Sequence, residues 1–224
     1  MKKSFEDRCR QAIREIRDSD HVKLSYENIE PAEHGDESTE TALQRVAETV
    51  GMQLPDSFRR NYFAPKRMHA QWRSVQETEL VGEFCLYHLH EAFSQPDLVP
   101  EDTTLAMTDQ EIMADLSAVD SAHRTGAGEV TGIRITDEGL FEVWFYDMTQ
   151  RRLERMDLDY AEYLDSVLIT KGTSGWQYLF IDGDLTSVSM ESTVRRLKAM
   201  LSSFPDLFPD YDYAPLRARL EARL

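Results

Sequence analysis

Cysteine is scarce in this chain: Cys9 and Cys85 are the only two among 224 residues. A disulfide framework is thereby excluded. With no pattern of basic start, apolar run and small-residue cleavage site over Met1 to Asp20, a reducing, cytoplasmic setting is expected. Positive charge is also in short supply, with 25 Lys and Arg against 41 Asp and Glu and a net charge of -16. Direct binding to nucleic acid is not expected, because phosphate would be repelled and no cluster of lysine and arginine is present to release counterions. No apolar run approaches the ~20 residues that cross a bilayer, so no membrane partner is expected. The glycine-rich phosphate loops G-x-x-x-x-G-K-[ST] and G-x-G-x-x-G are missing, as is the G-x-S-x-G nucleophile elbow. With 41 acidic residues, carboxylate pairs arise by chance and nominate no acid and base. The expectation is a protein without catalytic residues or cofactor.

What is present is a chain with 41% hydrophobic residues, enough to bury a substantial core. Phe5, Cys9, Ala12, Ile13 and Ile16 form an apolar stripe on a charged helix from Lys2 to about Asp18, which must dock on something to be stable. Val22, Leu24 and Tyr26 alternate as a short strand, and Glu27 to Glu40 is acidic and contains Pro31 and Gly35, the composition of an exposed connector. Leu43, Val46, Ala47 and Val50 recur at helical spacing over about Thr39 to Val50, and Gly51 supplies the left-handed residue that stops that helix. Pro55 and Asp56 then open a second helix, through Tyr62.

The middle of the chain alternates between strands and helices. A strand runs through Trp72, a turn falls near Glu77 to Glu79, and a strand through Leu80 to Leu86 leads into a brief helix ending near Phe93. Thr108 to Glu111 has capping-box spacing, with Ile112, Leu116 and Val119 as the apolar face of the helix it would open and Gly126 to Gly128 breaking it. Val130, Ile133 and Ile135, a turn at Asp137-Glu138-Gly139, and Leu140, Phe141, Val143 and Phe145 read as a hairpin, with Trp144 and Tyr146 on the face opposite Val143 and Phe145. A strand from Arg151 to Met156 extends the meander. Asp159 and Glu162 cap a helix carrying Tyr160, Tyr163, Leu164, Val167 and Leu168, which Gly172 should end. In the tail, Val188, Glu191, Val194, Leu197, Leu201 and Phe204 predict a long helix ended by Pro205, and Pro215 opens a short terminal helix.

Three stretches carry a family resemblance. ETVGMQLPDSFRRNY at Glu48 to Tyr62, the tryptophan strand followed by Gly82-Glu83-Phe84, and DLDYAEYLDSVL with KGTSGWQYLF together resemble the SMI/KNR family, the SUKH superfamily of bacterial immunity proteins and yeast cell-wall regulators. The likeness covers roughly residues 39–180. The family's glycine-bearing loop after the second helix is replaced by Phe63-Ala64-Pro65-Lys66. The resemblance implies an α+β fold, with helices packed on a mainly antiparallel sheet. On it rests a division into an N-terminal helix and acidic connector (1–38), a SUKH-like core (39–181) and a C-terminal helical extension packed on the core (182–224).

The resemblance also implies a non-enzymatic binding protein, an immunity protein that neutralises a cognate toxin. The acidic balance fits a basic toxin domain as partner; were that toxin a nuclease, its cationic groove would be drawn to a surface imitating phosphate. The other candidates are an intracellular scaffold or regulator and a metal-assisted hydrolase built around His88, His90 and Glu91; with Cys85 these form a cluster of zinc-ligand types whose spacing completes no tetrahedral set. Asp182-Gly183-Asp184 lacks the further oxygen ligands and glutamate of a calcium loop and reads as a polar turn. Candidate partner-contacting residues are the aromatics Trp72, Tyr87 and Trp144, with Glu83 and the acidic Asp97, Glu101 and Asp102. Asp109, Glu111 and Asp115 crowd the same acidic stretch, where a helix start also favours carboxylates.

Overall fold

The computed structural model describes residues 3–32, 37–75, 80–95 and 98–224. Ser4 caps the first helix, α1 (Phe5–Asp18), through its hydroxyl, which accepts from the Asp7 amide at 3.1 Å, and the buried residues of α1 are the five of the predicted stripe. Gly51, at φ +73°, ends α2 (Thr39–Val50) in the left-handed conformation that its lack of a Cβ allows. α3 (Asp56–Arg60) follows Pro55 and is shorter than expected, ending before Asn61. The Asp159–Glu162 capping box forms as predicted at the start of α6 (Tyr160–Thr170). The helix ends one residue before the predicted glycine, with Lys171 itself left-handed at φ 54°.

Among the described residues, two antiparallel sheets form the framework. One has the order β1 (Val22–Glu30), β2 (Arg67–Ser74), β3 (Val81–Tyr87); the other runs β4 (Leu116–Ala122), β5 (Glu129–Ile135), β6 (Phe141–Asp147), β7 (Arg152–Arg155). α4 (Leu89–Ser94) and α5 (Met107–Ala114) lie between the sheets in sequence, and α7 (Glu191–Leu207) and α8 (Ala214–Glu221) close the chain. With helices against antiparallel strands the fold is α+β. β1 continues to Glu30, so the first residues of the predicted connector are strand, paired with β2. The predicted turn at Glu77 to Glu79 lies outside the described residues.

The helix predicted to open at Thr108 and to be broken at Gly126 to Gly128 is corrected to a helix and a strand. α5 stops at Ala114, and Leu116 and Val119 belong to β4. β4 is buried on both faces, Leu116 toward a small cluster with Met113, Tyr146 and Leu153 and Val119 toward the main core, so the alternation that marks a half-exposed strand is missing. In β6, Val143 and Phe145 enter the main core, while Tyr146 and Trp144 pack on the small cluster across the sheet.

Pro205 lies inside α7, which continues to Leu207. A proline there removes the amide that would bond the carbonyl four residues back. That carbonyl, Leu201 O, accepts instead from the Arg217 guanidinium of α8 at 2.9 Å. Val188, assigned to the same helix from the sequence, precedes it and is 81% exposed. One continuous apolar cluster takes in Phe5 and Ile13 of α1, Trp72 of β2, Tyr163 of α6, and Phe204 of α7.

The sheets meet along β3 and β4, and the junction is closed without a regular ladder. On the edge of β3 away from β2, the Glu83 amide donates to Gly172 O at 2.9 Å and Val81 O accepts from the Ser174 amide at 3.0 Å, so residues 172–174 act as a short added strand. Two residues further, the Cys85 amide donates to the Asp120 carboxylate at 2.7 Å, and Tyr163 Oη donates to its other oxygen at 2.8 Å. A β4 side chain thus supplies the acceptor that a neighbouring backbone would otherwise provide.

Burial pushes the carboxyl of Glu129, in β5, up to about 7, opposed by the Ser174 hydroxyl, which donates to it at 2.6 Å. Asp147 adds to the rise, and Arg196 works against it. An acid whose folded-state pKa is raised holds its proton in the native state after the unfolded chain has released it, so stability should fall as pH rises from about 4.5 to 7. Urea melts at about pH 5 and about pH 8 check this: E129Q should flatten that part of the profile relative to the wild type.

Candidate functional site

A groove of about 770 Å³ lies between the C-terminal end of α1 with the start of β1 on one side and the end of α7 with its following loop on the other. Its walls carry Glu15, Asp18 and Asp20 from the first side and Asp206 and Asp210 from the second, and among the described residues no lysine or arginine lines it. Val22, Leu80 and Phe208 are buried apolar residues of its lining.

The five carboxylates divide by their surroundings. Glu15 Oε2 pairs with Lys171 Nζ at 2.7 Å and accepts from Tyr211 Oη at 3.0 Å. Glu15 is held below its ordinary range: its own burial, the largest influence, raises it and is outweighed by the hydrogen bond and charge of Lys171 and the bond from Tyr211. Lys171 is fully buried, its ammonium 3.8 Å over the Tyr211 ring and 5.0 Å over Phe208, and desolvation brings it down to about 8 against the pull of Glu15. This ion pair neutralises the base of the groove. Asp18, Asp20, Asp206 and Asp210 are exposed and form no ion pair among the described residues. Four exposed carboxylates around an apolar and aromatic floor suit a guanidinium or ammonium group carried in by a partner, since the aliphatic stem and the charged head each find their counterpart.

The candidate contact residues read from the sequence fall elsewhere. Trp72 is 1% exposed: its indole lies over Gly82, its partner in the β2–β3 register, and donates to Lys171 O at 2.7 Å. Glu83 and Tyr87 are each 5% exposed, Glu83 accepting from the Arg124 and Thr125 amides and Tyr87 Oη bonded to Ser121 Oγ. Burial removes these three from any contact surface, as the demands of the sheet junction outweigh their interface-like chemistry. Trp144 is half-buried, its indole donating to Glu142 at 3.0 Å. Glu101 is exposed, whereas the Asp102 carboxylate accepts from Thr104 and, at 2.5 Å, from Tyr146 Oη, contacts that hold it down at about 2. Asp97 lies outside the described residues.

Three residues of the cluster behind the hydrolase reading, Cys85, His88 and Glu91, are committed to separate tasks. The Cys85 thiol is buried and pushed up to about 12 by desolvation. His88 caps α4 by accepting from the His90 amide, and Glu91 is bound by Arg67 with Lys66 3.9 Å away. Sequence reading missed Asp18 and Asp20 as site residues because the groove joins segments that lie nearly a full chain length apart; the only local signal was the run of aspartates Asp206, Asp210 and Asp212. Compared with protein-family models, with curated proteins and with solved structures, the chain gives no match.

Proposed function

We propose that this chain is a binding protein that neutralises a basic toxin domain, docking a cationic loop of that domain in the groove between α1 and α7. Four exposed aspartates around one concavity, with no ion pair among the described residues, carry the reading. The resemblance to SMI/KNR immunity proteins supports it separately, because the stretches that carry it, at Glu48 to Tyr62, the tryptophan strand with Gly82-Glu83-Phe84, and Asp157 to Phe180, include none of the groove's carboxylates. The net charge of -16 adds long-range attraction, which speeds encounter with a cationic partner and weakens as salt rises.

A tagged full-length protein should capture a basic protein from the native lysate at ~0.01 M salt and much less at ~0.15 M, as the Debye length falls from ~30 to ~8 Å. With that protein purified, the variant D18N/D20N/D206N/D210N should bind at least ~10-fold more weakly, chiefly through slower association. A captured partner whose affinity ignores both salt and the four substitutions contradicts docking in this groove.

A further inference from the structure

Away from the groove, three side chains converge where the sheets meet. His69 comes from β2, Glu83 from β3, and His123 directly follows the last residue of β4. One ring nitrogen from each histidine and one Glu83 oxygen all lie within 4.8 Å of one another. His69 Nε2 and Glu83 Oε1 are 2.9 Å apart, and the two imidazole rings are 5.0 Å apart between centroids. His69 and Glu83 are buried, and His123 is exposed.

We propose that His69, Glu83 and His123 form a binding site for a divalent transition-metal ion of the zinc class, with water in a fourth position. Two imidazoles and one carboxylate are donors that suit zinc, and three protein ligands leave a tetrahedral ion one exchangeable place. Bonds of 2.0–2.1 Å imply ligand-to-ligand distances of about 3.3 Å. The His69–Glu83 pair is already near that spacing, so the ion takes the position of the hydrogen between Nε2 and Oε1, the remaining His69 hydrogen residing on Nδ1. His123 closes the set by moving its ring nitrogen at most about 1.5 Å, a side-chain rotation open to an exposed residue.

The surroundings hold two of the three ligands in place. Glu83 accepts from the Arg124 amide at 2.9 Å and the Thr125 amide at 2.6 Å, and a carboxylate with about four lone-pair positions can keep these bonds while it ligates. His123 Nδ1 is 3.1 Å from Ser121 Oγ, itself 2.8 Å from Tyr87 Oη, so ligation through Nε2 would keep that contact. Such outer partners fix the tautomer and orientation of ligating side chains. The cation nearest in sequence, Arg124, stacks its guanidinium 3.8 Å over the Tyr26 ring, whose edge packs on His69. A bound ion would tie β2 and β3 of one sheet to the β4–β5 turn of the other.

Chelator-treated full-length protein titrated with Zn²⁺ in a calorimeter, and with Co²⁺ followed by visible absorption, tests the site. One ion per chain and the intense bands of tetrahedral Co²⁺ are expected. H123A alters an exposed side chain and should weaken Zn²⁺ binding by at least ~10-fold, with the cobalt bands lost. H21A, in the acidic groove, should leave both unchanged. Absence of stoichiometric binding, or binding that responds to H21A and ignores H123A, overturns the assignment.

Discussion

G172A is expected to cost about 3–5 kcal/mol of folding stability. Gly172 sits at φ +64°, and a Cβ built there would stand 2.5 Å from Glu83 O and 2.8 Å from Glu83 C. Both atoms are backbone of β3, so no flexible side chain can move aside. Left-handed strain in a non-glycine residue costs about 1–3 kcal/mol, and overpacking a closed site adds about 1–3 more. Retreat of the 172–174 segment to relieve the clash would break the Glu83 N to Gly172 O and Ser174 N to Val81 O bonds and withdraw Lys171 O from the Trp72 indole. The neighbouring left-handed residue, Lys171, provides the contrast, since K171G relieves backbone strain and removes the buried ammonium together. Chemical denaturation of G172A should show a midpoint shifted far below the wild type with little change in slope. A loss under about 1 kcal/mol would mean that the added strand at residues 172–174 is loosely held.

D120A is expected to be nearly as damaging, while D120N should be mild. Asp120 is 4% exposed and receives the Cys85 amide and the Tyr163 hydroxyl, which also lies 3.0 Å from Thr131 Oγ1. Alanine leaves a buried amide without an acceptor and takes from the Tyr163 hydroxyl its carboxylate partner. At about 1–3 kcal/mol for each unsatisfied group and a cavity besides, the loss should reach about 3–5 kcal/mol. Asparagine keeps an acceptor for Cys85, and its amide can donate to the Tyr163 oxygen once that hydroxyl turns to Thr131.

The pair also differs in its pH behaviour. Burial lifts the Asp120 carboxyl to about 6, against the opposing hydrogen bonds of Tyr163 and Cys85. The raised acid keeps its proton in the folded state above pH 3.8, where the unfolded chain loses its own, so this stabilising contribution fades as pH climbs toward about 6. D120N lacks that titration, and its deficit relative to the wild type should therefore shrink between about pH 4 and about pH 7.

The parts of the fold that were legible in the sequence are those decided by neighbours along the chain. The α1 stripe, the Gly51 stop and the Asp159–Glu162 box depend on residues three or four apart, and each formed as read. β4 was hidden because burial on both faces erases a strand's alternation, and Leu116 happened to continue the spacing of Ile112. The reach of α7 past Pro205 was unreadable because it depends on Arg217, a residue of the next helix. Trp72 and Tyr87 have the chemistry of interface residues, but a sheet junction buries the same amphipathic side chains and satisfies their polar atoms internally. The groove depends on folding that brings Asp18 and Asp20 beside Asp206 and Asp210, and the sequence pattern holds no trace of that pairing.

A growth assay tests the central claim most directly, with the protein captured at low salt expressed in cells that lack or carry this chain. If the α1–α7 groove neutralises a toxin, expression of the captured protein alone should arrest growth, the wild-type chain should restore it, and D18N/D20N/D206N/D210N, folded to the same extent, should restore it poorly. A captured protein that does not impair growth, or rescue by the four-site variant equal to that by the wild type, would contradict the account.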